Sequence, residues 1–150
     1  MNNKIFIVIL FLFCSIGMLS SCVSSNGDNN IAIGMTYDEV LSLQSDMKYL
    51  IHRNYMFYVD SDGKNIVVEF GNETYLVEKI EDFQTVAAEQ DSFSSITEGM
   101  TVFDVVEKVG LPLRCTTSGL STLDFQSMDG SMFRILWDEN MKVIEVTKVN

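Results

Sequence analysis

The chain has 150 residues, 10 of them Lys or Arg and 21 Asp or Glu, for a formal net charge of −11. Such a body is repelled by phosphates and anionic headgroups, so no nucleic-acid partner is expected, and an encounter with a basic or neutral partner is favoured. Three cysteines and one histidine leave little material for a disulfide framework or a metal centre, and no cofactor is expected.

The chain opens MNNKIFIVILFLFCSIGMLSSC, with Lys4 the only charge before Asp28 and an unbroken apolar run at 5–13. A positive start, a short apolar run and a small-residue exit describe a secretory signal; about 20 apolar residues would be needed to span a bilayer. Leu19-Ser20-Ser21-Cys22 resembles the bacterial lipobox, in which cleavage precedes the cysteine and lipid is attached to its sulfur. That resemblance implies a signal peptide at 1–21 and lipidation of Cys22. Two or more acyl chains anchor stably where one does not. Residues 22–30 then read as a flexible tether of about 15 Å root-mean-square reach, which places the body at a membrane, facing periplasm or exterior. Removing residues 1–21 takes away Lys4 alone, so 9 basic residues face 21 acidic ones, a formal net charge of −12. Cys14 leaves with the signal and Cys22 carries lipid, so Cys115 has no partner for an intramolecular disulfide.

Beyond the tether, IAIGMTYDEV at 31–40 is echoed by ITEGMTVFDVV at 96–106. With Thr36 as N-cap, Glu39 is the third helical residue, a capping box, and Met35 and Val40 form a hydrophobic staple. In the second copy Thr101 is N-cap, Asp104 completes the box, and Met100 pairs with Val105. Gly34 and Gly99 suit a sharp entry into the helix. The motif is therefore a helix-start device. A helix from Tyr37 to about Ser45 carries Val40 and Leu41 inward, with Leu43 a further candidate, and its stop near Ser45-Asp46 is weak. A second, from Val102 to Val109, carries Val102, Val105, Val106 and Val109 on one stripe and stops at Gly110 ahead of Pro112.

After each helix the copies stay parallel. SDGKNIVVEF at 61–70 matches MDGSMFRILW at 128–137, and YLVEKI at 75–80 matches KVIEVT at 142–147. Asp62-Gly63 and Asp129-Gly130 are hairpin turns. Strands are expected at about 54–60, 64–70 and 74–80, then 121–127, 131–137 and 141–148. MKYLIHR at 47–53 and LRCTT at 113–117 show no clear period, so a further strand or a second helix is open there. The expected class is α+β: two tandem repeats, 31–80 and 96–150, joined by a linker at 81–95. Each is a short helix or helix pair followed by an antiparallel three- to four-strand meander.

IGMTYDEV and EGMTVFDVVEKVGLP resemble the small-lipoprotein motif of the SmpA/OmlA (BamE-like) type, and two such units in tandem resemble the β-lactamase inhibitor protein superfamily. The resemblance covers 31–80 and 96–149. It implies helices packed on one face of an antiparallel sheet, with the other face free to bind protein. The first copy lacks the GLP helix stop, and the chain cannot form the disulfides of the secreted inhibitor.

Aligned positions apolar in both copies mark the core face: Met56 with Leu123, Tyr58 with Phe125, Ile66 with Phe133, Val68 with Ile135, Phe70 with Trp137 and Val77 with Ile144. The opposite face pairs Tyr55 with Thr122, Phe57 with Asp124, Val59 with Gln126, Val67 with Arg134 and Glu69 with Leu136. It is aromatic in the first copy and polar in the second. An exposed Tyr55, Phe57 and Val67 cluster, flanked by Glu69, Asp124 and Arg134, is the expected protein-binding patch. A Cys115–His52 pair lacks an orienting third residue, and DSDGKN at 60–65 fits a turn better than a calcium loop. The expected function is that of a membrane-anchored, non-catalytic lipoprotein that binds another envelope or extracellular protein. The rival is a small ligand or cell-wall component held between the repeats.

Overall fold

The computed structural model describes residues 31–43, 48–84, 86, 88–116 and 121–149. The signal, Cys22, the tether and the helix stop expected near Ser45-Asp46 lie outside the described residues. The chain order is α1 (Tyr37–Leu43), β1 (Tyr49–His52), β2 (Tyr55–Val59), β3 (Asn65–Phe70), β4 (Val77–Phe83), α2 (Gln90–Ser94), α3 (Val102–Val109), β5 (Arg114–Thr116), β6 (Ser121–Gln126), β7 (Met132–Trp137) and β8 (Val143–Val149). The strands form two four-stranded antiparallel sheets, ordered β1-β2-β3-β4 and β5-β6-β7-β8. The class is α+β, and β1 and β5 supply the fourth strand in the two segments without a clear period. No helix among the described residues is long and apolar enough to cross a membrane.

Both GMT segments start helices through closed capping boxes. Thr36 N donates to Glu39 Oε2 at 2.8 Å, and Glu39 N donates back to Thr36 Oγ1 at 3.3 Å. Thr101 and Asp104 make the same pair at 2.8 and 3.3 Å, so the shorter aspartate also reaches. Gly34 and Gly99 sit at φ 88° and 85°, in the left-handed region open to glycine. The motif has a second use that its residue types do not announce. Gly34 N donates to Val77 O and Val77 N to Met35 O, each at 2.8 Å, and Gly99, Met100 and Val143 repeat this at 2.8 and 2.9 Å. Each segment thus ties its helix to the first residue of the sheet's last strand.

The hairpin turns at Asp62-Gly63 and Asp129-Gly130 form as expected, with the glycines at φ 80° and 84°. Asp60 Oδ1 is taken up by the backbone N–H groups of Asp62 and Lys64, which makes the DSDGKN segment a turn. The last strands differ from the expectation. Loops at 71–76 and 138–142 precede them, each with a left-handed residue, Tyr75 and Met141, both at φ 55°. The second loop is one residue shorter, so Val77 matches Val143, not Ile144. Val143 is 2% exposed and Ile144 47%, and the register shift at Leu136/Trp137 repeats the one at Glu69/Phe70. At the joint, β4 runs on to Phe83 and α2 occupies 90–94, so part of the segment expected as linker is regular structure.

The layers run α1, first sheet, α2 with α3, second sheet. Val40 of α1 packs with Met56, Tyr58, Ile66, Val68, Phe70 and Val77 on one face of the first sheet. The second core gathers Phe93, Val102, Val105, Val106 and Val109 from α2 and α3 with Leu123, Phe125, Phe133, Ile135 and Trp137 of the second sheet. Tyr55, Phe57 and Val67 belong to this second core. The face of the first sheet expected to be open is therefore covered by the second unit: Tyr55, Phe57 and Val67 are 6, 2 and 0% exposed. Large apolar side chains on both faces of β2 and β3 require a cover on each, because each buried Phe or Val contributes about 1.5–3 kcal/mol.

Candidate functional site

The register of the two sheets shows what the covered face became where it is open. In the first sheet one cross-strand row reads Leu50, Phe57, Val67, Glu81. The equivalent row of the second sheet reads Arg114, Asp124, Arg134, Thr147, and lies on the face turned away from α2 and α3. The change replaces an apolar strip with a charge clamp. Arg134 donates from Nε to Asp124 Oδ1 at 2.7 Å and from Nη2 to Oδ2 at 3.0 Å. Arg114 Nε donates to Oδ2 at 2.8 Å from the other side. The Asp124 side chain is fully covered, while those of Arg114 and Arg134 are 57 and 38% exposed.

Burial pushes the Asp124 carboxyl up, but Arg134, and after it Arg114, hold it below the ordinary carboxylate range. The carboxylate stays ionised and fixes both guanidiniums, whose side chains remain partly exposed. Half-buried Met132 and Leu136 stand beside the clamp, and exposed Gln126, Glu145 and Thr147 flank it. Of the residues expected to bind protein, Asp124 and Arg134 are therefore on an open face. Tyr55, Phe57 and Val67 are inside, and half-buried Glu69 accepts a 2.7 Å hydrogen bond from Tyr55 OH. Arg114 went unread because its strand is three residues long and shows no period. Its opposition to Asp124 emerges from the pairing.

The junction between the units is made of packed and hydrogen-bonded side chains. Tyr55 and Phe103 meet edge to face at 6.0 Å between centroids, and Lys79 Nζ sits 3.7 Å over the Phe103 ring. At its rim His52 Nε2 lies 2.8 Å from Ser121 Oγ, and Arg53 Nη1 donates to Glu139 O at 3.2 Å. The His52–Ser121 pair has the residue types of a nucleophile and its base. Ser121 is nevertheless buried, its hydroxyl also contacts Met141 Sδ at 3.4 Å, and no carboxylate bonds the imidazole among the described residues. It joins the units. Cys115 packs half-buried against the second core. An open cleft of about 680 Å³ lies on the first unit, lined by Tyr37, Phe70, Tyr75, Arg53, Asn54 and Asn72.

No protein-family model matches the sequence, and no curated protein is similar to it at a significant level.

Proposed function

We propose that the chain is a membrane-anchored, non-catalytic lipoprotein that binds another protein at the cell envelope. Lipid on Cys22 and the 22–30 tether hold a body made of two tandem SmpA/OmlA-like repeats, as in the β-lactamase inhibitor superfamily. The body faces periplasm or exterior. The observation that carries the binding role is the Arg114–Asp124–Arg134 clamp on the free face of the second sheet. A free face that served solubility alone has no need of a fully covered carboxylate holding two arginines in place. Its partner is a protein surface that offers acceptor oxygens between the two guanidiniums and apolar contact to Met132 and Leu136. The acidic body makes a neutral or basic partner the better match at long range, while the clamp sets register at contact.

Site-specific photo-cross-linking in the native envelope tests this. A photoreactive residue in place of Gln126 or Thr147, on the clamp face, is expected to give an adduct with one protein. The same residue in place of Asp62 or Glu107, exposed elsewhere, is expected to give none. Equal adducts from all four positions, or none from the clamp face, would remove the binding role. Loss of the protein from membranes in Cys22→Ser tests the anchor separately.

A further inference from the structure

The two units repeat one order of elements but close one corner of it differently. Counting along the helix starts, strands and last loops, Tyr37 corresponds to Val102, Asn54 to Ser121, Phe70 to Trp137 and Tyr75 to Met141. In the second unit all four equivalents are buried, and the left-handed Met141 packs into the core at 3% exposure. In the first unit the same corner is a cleft of about 680 Å³, within the range of about 300–1,000 Å³ usual for small-ligand sites. Tyr75 keeps the left-handed backbone, at φ 55°, yet is 69% exposed, and its side chain makes no hydrogen bond or ring contact among the described residues. A strained conformation that fills the core in one unit holds an uncommitted ring at the edge of a cleft in the other.

The polar groups of the lining define what a ligand must offer. Phe70 N donates to Asn54 O at 2.7 Å, and Asn54 Nδ2 donates to Phe70 O at 2.9 Å, so the two residues are locked together. That leaves Asn54 Oδ1 as a fixed acceptor, which calls for a donor on the ligand. Arg53 is exposed, is held to the Glu139 carbonyl through Nη1 at 3.2 Å, and has no carboxylate partner among the described residues. It is the only charged side chain among the lining residues, in a chain of net charge −11, and its other N–H groups call for an anionic acceptor. Exposed Asn72 adds a second amide, able to donate and accept. An apolar side chain as ligand would bury little against a ring as exposed as Tyr75. A pyranose needs only one C–H face covered, and its hydroxyls, each donor and acceptor, suit amides at a wet rim.

We propose that this cleft is a carbohydrate site, for a saccharide that carries a carboxylate. The Tyr75 ring covers the C–H face of a pyranose, Asn54 Oδ1 accepts from one of its hydroxyls, and Arg53 donates to the carboxylate. The inference rests on the lining of the first unit and not on the clamp. Failure of cross-linking at Gln126 and Thr147 would leave it standing, and its own failure would leave the clamp face standing.

The test is ¹⁹F NMR of the full chain in zwitterionic detergent micelles, labelled with 3-fluorotyrosine and assigned by single Tyr→Phe variants. Two acidic probes are used: tetragalacturonate, with its carboxylates on the sugar rings, and a tetrasaccharide alternating N-acetylglucosamine and N-acetylmuramic acid, with free lactyl carboxylates. The neutral N-acetylglucosamine tetramer is the reference. Saturable shifts of the Tyr37 and Tyr75 signals are expected with at least one acidic probe, and the tighter of the two identifies the source of the ligand. Tyr55 and Tyr58 should stay unmoved as reporters of an intact fold. The neutral tetramer should bind at least about tenfold more weakly, and Arg53→Gln should remove that difference, as loss of a charge-assisted hydrogen bond does. Tyr75→Ala should weaken binding of the acidic probe about fivefold, as loss of a stacked ring does. No saturable shift with any saccharide, equal affinity for neutral and acidic tetramers, or unchanged affinity in both variants would overturn the proposal. So would tighter binding of N-acetylphenylalanine than of either acidic saccharide, which would make the cleft a site for peptide C-termini.

Discussion

Phe57→Ala tests the placement of the second unit over the first sheet. Phe57 is 2% exposed and sits in the core shared with α3 and the second sheet. Truncating a buried Phe to Ala costs about 3–5 kcal/mol in lost transfer energy and cavity formation. Against a domain stability of about 5–15 kcal/mol, that is a large share. With a urea dependence of about 2 kcal/mol per M, the unfolding midpoint should fall by about 2 M at unchanged slope. Gln126→Ala on the open face should stay within about 0.5 kcal/mol. The contact across the units is isolated by a double-mutant cycle on Tyr55 and Phe103, whose rings meet at 6.0 Å. A coupling of about 0.5–1.5 kcal/mol is expected. A Phe57→Ala cost below about 1 kcal/mol, together with no coupling in the cycle, would mean that this face is free, and the layer order given above would fall.

Two further outcomes follow from single groups. Burial, and secondarily Arg53, hold the His52 imidazole below its ordinary value of 6.5. The unfolded chain then binds that proton more readily, so this contribution is complete above 6.5 and is lost as pH falls toward the folded-state value. Urea midpoints measured at roughly pH 7 to 5 should decline in the native chain and stay flatter in His52→Gln. Identical slopes would show that the junction does not feel the charge. Tyr58 OH is buried and has no hydrogen-bond partner among the described residues. Tyr58→Phe should therefore be neutral or stabilising by up to about 1 kcal/mol in thermal unfolding, whereas a loss of that size would mean the hydroxyl is satisfied in solution.

The parts of the fold that local chemistry controls were legible in the residues. Thr36-x-x-Glu39 and Thr101-x-x-Asp104 close the boxes their spacing implies, and Asp-Gly marks both hairpin turns. The period-2 core of Met56, Tyr58, Ile66, Val68 and Phe70 lies on one face of the first sheet, and its counterparts share one face of the second. What was not legible depends on neighbours distant in the chain. The alternation of STLDFQ at 121–126 suggests one buried and one open face for YMFYV at 55–59 as well. A strand apolar on both faces is instead covered on both, as the two cores show. The Val77–Ile144 match failed because one residue missing from a loop slips every side chain beyond it to the other face. Arg114 could not be placed opposite Asp124 until β5 had a partner strand.

The order of layers explains where the two units differ. The first unit presents a sheet face and the second a helix face, so the contact between them is head to tail. Such a contact does not close on itself, and if both units kept the same surfaces a third could add at either end, and so on. The substitutions fall on the surfaces where that addition would occur. At one end Phe57 and Val67 are replaced by Asp124 and Arg134, and at the other Phe103 is replaced by Asp38. A charged pair cannot be covered by an apolar helix without leaving polar groups poorly paired, so growth stops after two units, as polar caps stop repeat arrays. At the sheet end the polar replacement is a buried carboxylate holding two arginines, more structure than a cap requires. At the helix end rings remain around an open cleft where full polarity would have capped better. The sheet end thus departs from a plain cap in the direction that the proposed binding role requires.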